Sequence, residues 1–279
     1  MKETLTPPDK WPEKSYKNPN FLNSGDARLI RVMCEFIEPE SRLRRAGVRN
    51  TVVFFGSART LPRDIAEANV KAARAQLNTV PEADREARDA YDKAQRDLKM
   101  ARYYEDAASL AEKLTTWSLS LGNKSRRFYV CSGGGSGIME AANRGAHRAG
   151  GTSVSFNISL PMEQAPNGYQ TRELAFEFHY FFVRKFWFFY LAKALVVFPG
   201  GYGTMDELFE LLTLVQTEKT IKYMPILVYG TEYWREIVDF EALAKWGVID
   251  RANLDLFRFF DDVDEAFGYL KAELTKHYV

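Results

Sequence analysis

The sequence has few of the residues that build metal sites: two cysteines, Cys34 and Cys131, and three scattered histidines, His147, His179 and His277. None of them falls at metal-ligand spacing, which argues against a zinc site. There is no surplus of one charge either. The 38 Lys and Arg against 37 Asp and Glu leave a formal +1, so nothing in the balance points to a polyanion, and no local basic patch alternates with aromatics on one face as nucleic-acid binding would require. The opening stretch MKETLTPPDKWPEK lacks the apolar core of a signal peptide. No apolar run reaches membrane-helix length; the nearest, 181–198, is broken by Arg184, Lys185 and Lys193. These absences leave a cytoplasmic enzyme or binder as the expectation, with no metal, nucleic acid or membrane.

The 279 residues that remain to be read are 46% hydrophobic and 27% charged, enough for a real core in one large α/β domain or two small ones. Residues 1 to about 25 are rich in Pro, Lys and Asn and read as an irregular arm. Residues 26–46 have apolar positions at helical spacing, with Pro39 as an interruption. TVVFFGS is a short β-branched and aromatic run ending in Gly56, a buried first strand. From about 62 to 101 the chain turns Ala-rich and densely charged, with a break at NTVP around Pro81; this pattern predicts an inserted helical hairpin, either a contact or lid element or a solvated decoration.

Beyond it, strand and helix patterns alternate. RRFYVCSGGG, TSVSFNISL, AFEFHYFF, ALVVFPGG, MPILVYG and LFRFF read as strands. IMEAANRGAHRAGG, RKFWFFYLAK, TMDELFELLTLVQTEK, TEYWREIVDFEALAKWG and DVDEAFGYLKAELTKH read as helices. Buried apolar strands alternating with helices predict a Rossmann-like, doubly wound parallel sheet with helices on both faces. The expected division is an arm and helix over 1–48, then a nucleotide-binding domain over 49–279 that carries the insertion.

Three apolar strands end in glycine turns: FFGSA (Gly56, Ser57), CSGGGSG (Gly133, Gly134, Gly135, Gly137) and FPGGYGT (Gly200, Gly201, Gly203, Thr204). In an open parallel sheet the ligand crevice lies outside the carboxyl ends of the strands, so the turns can share one site. Glycines admit close backbone approach, the following helix offers free N–H groups to an anion, and Thr204 adds a hydroxyl. Phosphate is the obvious anion. The GKS/GKT ending of a P-loop is absent, and so is G-x-G-x-x-G with its later acidic residue, which disfavours an NTPase and a dinucleotide oxidoreductase.

Carboxylates beside a phosphate site repel the ligand, so Glu207 in TMDE has two readings: a catalytic or ribose-binding group, or, with Asp206, a complement to the helix dipole. Arg184 and Lys185, set in FFVRKFWFF, are either an anion clamp or transition-state stabiliser facing a cleft, or a snorkelling surface pair.

Together SGGGSGIMEAANRGA, FFVRK and PGGYGTMDELFELLTLVQTEK resemble the LOG family of phosphoribohydrolases and nucleotide nucleosidases, formerly labelled lysine decarboxylases. The likeness extends through NISLPMEQAPNGY to VYGTEYW, roughly residues 50–270. It implies hydrolysis of the N-glycosidic bond of a nucleoside 5′-monophosphate, AMP or a cytokinin-type purine nucleotide, without metal or organic cofactor, in a homodimer or larger homo-oligomer. Arg184 and Glu207 match the family's catalytic pair, Gly200–Thr204 and Gly133–Gly137 its substrate-holding turns, and Lys185, Thr213 and Glu163 positions lining its pocket. Nothing in the residues resembles a pyridoxal phosphate site. Three features depart from the family: the long insertion, the N-terminal arm, and Trp187 where relatives carry Met, which is expected to reshape the base pocket. The alternative reading is a non-catalytic nucleotide or cofactor carrier on the same fold.

Overall fold

The computed structural model describes residues 11–79, 84–160, 165–220 and 222–279. Its centre is a seven-stranded sheet in the order β4-β3-β2-β1-β5-β6-β7, with every neighbouring pair parallel. The strands are β1 Asn50–Phe55, β2 Phe128–Ser132, β3 Ser153–Ile158, β4 Ala175–Phe178, β5 Ala192–Val197, β6 Ile226–Tyr229 and β7 Arg258–Phe260. The helices are α1 Pro19–Leu22, α2 Arg28–Ala46, α3 Arg63–Leu77, α4 Arg85–Ser120, α5 Ile138–Arg148, α6 Phe181–Tyr190, α7 Tyr202–Gln216, α8 Thr231–Ile237, α9 Phe240–Lys245 and α10 Val263–Tyr278. This is the doubly wound α/β architecture the alternating pattern predicts. Among the described residues no helix is long and apolar enough to cross a membrane.

Strand pleating explains the two-sided core. Along β1, Val53 and Phe55 join a cluster with α6 and α7 residues such as Phe188, Leu208 and Leu211. Val52 and Phe54 point the other way, into a cluster with Tyr104, Leu110, Ile138 and Leu270 of α4, α5 and α10. Both faces of the strand are therefore apolar, which is why TVVFF carries no polar alternation.

Several elements differ from the sequence expectation. α4 does not stop at Ala101 but runs 36 residues to Ser120, so its second half is the covering helix between β1 and β2, buried through Tyr104, Ala107, Ala108 and Ala111. In its first half Ala87, Ala94 and Ala101 are buried every seventh residue, a small-residue seam against α3. The predicted break at Pro81 lies outside the described residues. β4 ends at Phe178, and Phe181 and Phe182 already belong to α6. The expected 231–247 helix is two helices, because Asp239 accepts a hydrogen bond from the Ala242 N–H and starts α9 afresh.

The fourth exception is α2, which continues through Pro39. A proline inside a helix leaves the carbonyl four residues back without its donor. Here that carbonyl belongs to Glu35, and the Trp187 indole N–H donates to it at 2.9 Å. The Glu35 carboxylate in turn accepts from the backbone N–H groups of His179 and Tyr180, at the start of α6. α2 is thereby fastened to α6 by complementary hydrogen bonds.

A buried polar knot holds the turn after β2. The Asn143 side chain, fully buried on α5, accepts from Ser132 Oγ at 2.8 Å and donates to Ser153 Oγ at 2.8 Å. Asn167 Nδ2 donates to Asn143 Oδ1 and to the carbonyls of Gly134 and Gly135. Replacing Asn143 by Ala leaves the Ser132 hydroxyl without its acceptor and the Ser153 hydroxyl without its donor, and is expected to cost about 2–4 kcal/mol, lowering the melting temperature by roughly 5–10 °C. An unchanged calorimetric melt would show that the knot contributes nothing.

Candidate active site

The chain runs outward from β1 through β2, β3 and β4, then returns to the other side of β1 as β5. The β1/β5 boundary is therefore the switch point where an open sheet leaves a crevice at its carboxyl ends. Hydrogen bonds knit the loops there: Ser57 N–H donates to the Pro199 carbonyl at 2.9 Å, Phe198 N–H to the Phe55 carbonyl at 2.8 Å, and Ile138 N–H to the Ser57 carbonyl at 3.1 Å. Two glycines are required by this contact. Gly137 has φ +67°, and a Cβ on it would strike the Ser57 carbonyl. A Cβ on Gly200 would collide with the Thr204 side chain.

A cavity of about 700 Å³ opens at this point, within the range that holds a small-molecule ligand. The structure brings Gly56, Ser57, Gly133, Gly135, Gly200, Gly201, Gly203, Thr204, Arg184 and Glu207 to its wall. Gly134 and Gly137 shape the turns from behind rather than lining it. Among the residues the sequence reading missed are Arg59, Met100, Met139, Asn157, Phe181, Phe188 and Tyr233. Tyr233 donates from its hydroxyl to the Gly200 carbonyl at 2.7 Å and so supports the turn. Met100 comes from α4, placing the inserted hairpin's second helix against the cavity. These residues carry no motif, since only the tertiary fold collects them.

Glu207 is 4% exposed and lies in the second turn of α7. A helix dipole acts on charges within the first turn, so the dipole reading does not account for it. Its Oε1 lies 3.9 Å from Arg184 Nη2, too far for a hydrogen bond, while Glu207 Oε2 and Arg184 Nε are buried without partners. Burial dominates both groups. It pushes the Glu207 carboxyl up to about 7, against the opposing pull of Lys185 and Arg184, and it lowers the Arg184 guanidinium from its ordinary value.

Other expected residues lie elsewhere. Lys185 does not line the cavity; its Nζ bonds Asp206 Oδ1 at 2.8 Å and Glu210 Oε2 at 2.6 Å. Those bonds tie α6 to α7 and set Arg184 opposite Glu207. Thr213 is two turns further along α7, with its hydroxyl donating to the Phe209 carbonyl at 2.7 Å. Trp187 is buried against α2 and not at the cavity mouth; Phe181 and Phe188 of the same helix face the cavity instead. Glu163 lies outside the described residues.

Two outcomes check this geometry. Because the folded-state value of Glu207 lies above its ordinary 4.5, the carboxyl contributes its stability below that pH and loses it as the pH rises through about 7. Glu207→Gln should therefore melt several degrees higher than the wild type near pH 8, with the gap closing near pH 5; coincident melts at both would contradict the burial. Trp187→Phe leaves the Glu35 carbonyl without a donor and is expected to lose about 1–3 kcal/mol in denaturant unfolding.

Residues 139–270 match the family model described as "Possible lysine decarboxylase". The chain is similar to the structural-genomics protein TM1055, with 18% identity, coverage of 80% of this chain and 99% of that one, and a TM-score of 0.47. It is also similar to the Moco Carrier Protein from Chlamydomonas reinhardtii, with 22% identity, coverage of 62% and 90%, and a TM-score of 0.40. No curated protein matches the chain in sequence.

Proposed function

We propose that the chain, whose residues 139–270 match the family model described as "Possible lysine decarboxylase", hydrolyses the N-glycosidic bond of a nucleoside 5′-monophosphate, as its resemblance to the LOG family implies. The observation that carries this reading is the buried Arg184–Glu207 pair on the wall of the cavity, with one polar atom of each left unpartnered beside three glycine turns. A binding cleft for an anion gains nothing from a carboxylate in its wall; a hydrolytic centre does.

In this reading the 5′-phosphate sits at the start of α7, where the N–H groups of Tyr202, Gly203 and Thr204 precede the first intrahelical donor, Met205, and the Thr204 hydroxyl adds a further contact. Fixing the phosphate holds the anomeric carbon of the ribose against Glu207. As the bond to the base lengthens, its electron pair leaves with the base and positive charge builds on the sugar. Ionised Glu207 stabilises that charge and takes a proton from the attacking water, whose oxygen bonds to the anomeric carbon. The proton taken from water passes to the departing base, which restores the carboxylate, and the products are free base and ribose 5-phosphate. Arg184 engages the substrate or positions Glu207. Among the described residues the cavity wall carries two arginines, Arg59 and Arg184, and no lysine, so they offer a pyridoxal Schiff base no anchor and do not fit the decarboxylase description.

The test is a panel of nucleoside monophosphates with free base followed by chromatography. Glu207→Gln is expected to lower kcat by roughly 10²- to 10⁴-fold while nucleotide still binds, and the wild-type rate should fall as the pH drops below about 7, where the carboxyl protonates. A variant as fast as the wild type would remove Glu207 from the mechanism. Tight binding with no base released from any nucleotide would favour the carrier reading.

A further inference from the structure

A second cavity, of about 290 Å³, lies at the opposite pole of the sheet, outside the amino ends of β2 and β3. The glycine turns are all at the other end of the strands, so this pole takes no part in the site described above. Its polar wall is formed by Thr115 on α4, Lys124 and Arg127 before β2, Thr152 before β3, and Thr171 and Glu173 before β4.

The cavity shares a signature with the catalytic cleft: buried polar atoms left without partners. Thr115 is 4% exposed, yet its Oγ1 has no hydrogen-bond partner, and the same holds for the buried Arg127 Nε. Neither Lys124 nor Arg127 forms an ion pair among the described residues. Among the described residues the wall carries one carboxylate, Glu173, against two cations; Glu173 and Lys124 are exposed and Arg127 is half-buried. Thr171 Oγ1 accepts from the Ser153 N–H at 3.0 Å, so its own proton is free to donate. Ser118 Oγ is already engaged with both the N–H and the carbonyl of Phe128 and supplies only surface.

What remains is a set of donors: a guanidinium, an ammonium and threonine hydroxyls. Such a set is complementary to an oxyanion with several acceptor oxygens, and arginine matches phosphate geometry in particular. The volume exceeds that of a bare phosphate, and Ala46, Phe128 and Leu174 give the rest of the wall an apolar character suited to a short carbon skeleton. We propose that this cavity is a second binding site, for a small phosphate-bearing molecule held through Arg127, Lys124 and Thr115. The inference does not depend on the hydrolytic reading.

The test is titration of the full ¹⁵N-labelled chain with inorganic phosphate, read by amide NMR shifts. The amides of Thr115, Thr152 and Thr171 are expected to shift saturably, as a set separate from those of Gly133–Gly137 and Gly200–Thr204. In Arg127→Gln the apparent Kd of the polar set should rise at least about tenfold while the glycine-turn amides behave as in the wild type. Thr115→Val, which keeps the shape of the side chain, should weaken the same set. Amides at Thr115, Thr152 and Thr171 that stay still at millimolar phosphate, or that shift equally in wild type and Arg127→Gln, overturn the proposal. Because the two sets are read separately, silence at the glycine turns bears on the hydrolytic site alone.

Discussion

A carboxylate buried beside a guanidinium without a hydrogen bond between them is the constraint around which this molecule is arranged. Glu207 and Arg184 approach to 3.9 Å, and each keeps one polar atom unpartnered. Holding the two charges in a site of low polarity is costly. The cost is met by rigid support on every side. Lys185 clamps α6 onto α7 through Asp206 and Glu210. α2 grips the start of α6 through the Glu35 carboxylate and its middle through Trp187. The three glycine turns are bonded to one another through Ser57, Pro199 and Ile138. A pair held this way has unused polar capacity aimed at whatever enters the cleft.

The same arrangement gives the N-terminal helix a structural purpose. Pro39 frees a carbonyl in α2, and the indole that satisfies it comes from the helix carrying Arg184. Residues lying outside the family resemblance thus support a residue inside it. The insertion is integrated as well: α4 is one continuous helix whose first half pairs with α3 and whose second half covers the sheet, with Met100 reaching the cavity between them.

How much of this was legible in the sequence follows from how local each signal is. The strands were readable because runs such as TVVFF and ALVVF are buried on both faces, and the glycine turns because close backbone contact admits no side chain there. Arg184 and Glu207 stood out through their motifs. The partners of Lys185 did not, since Asp206 and Glu210 are more than twenty residues away and carry no pattern with it. Trp187 is expected to reshape the base pocket because it stands where relatives carry Met, but on a helix one position turns a side chain by about 100°, and that rotation points it to α2. The Glu35 contacts span more than 140 residues, so only the fold reveals them.

The central claim is that the pair at the switch point makes a nucleotide cleft hydrolytic. Its most direct test is to bind a nucleoside 5′-monophosphate to the wild-type chain and assay the same sample for free base and ribose 5-phosphate. The account predicts that bound nucleotide is converted to the two products in equal amounts. Nucleotide that binds saturably and is recovered intact, across purine and pyrimidine monophosphates alike, would contradict it.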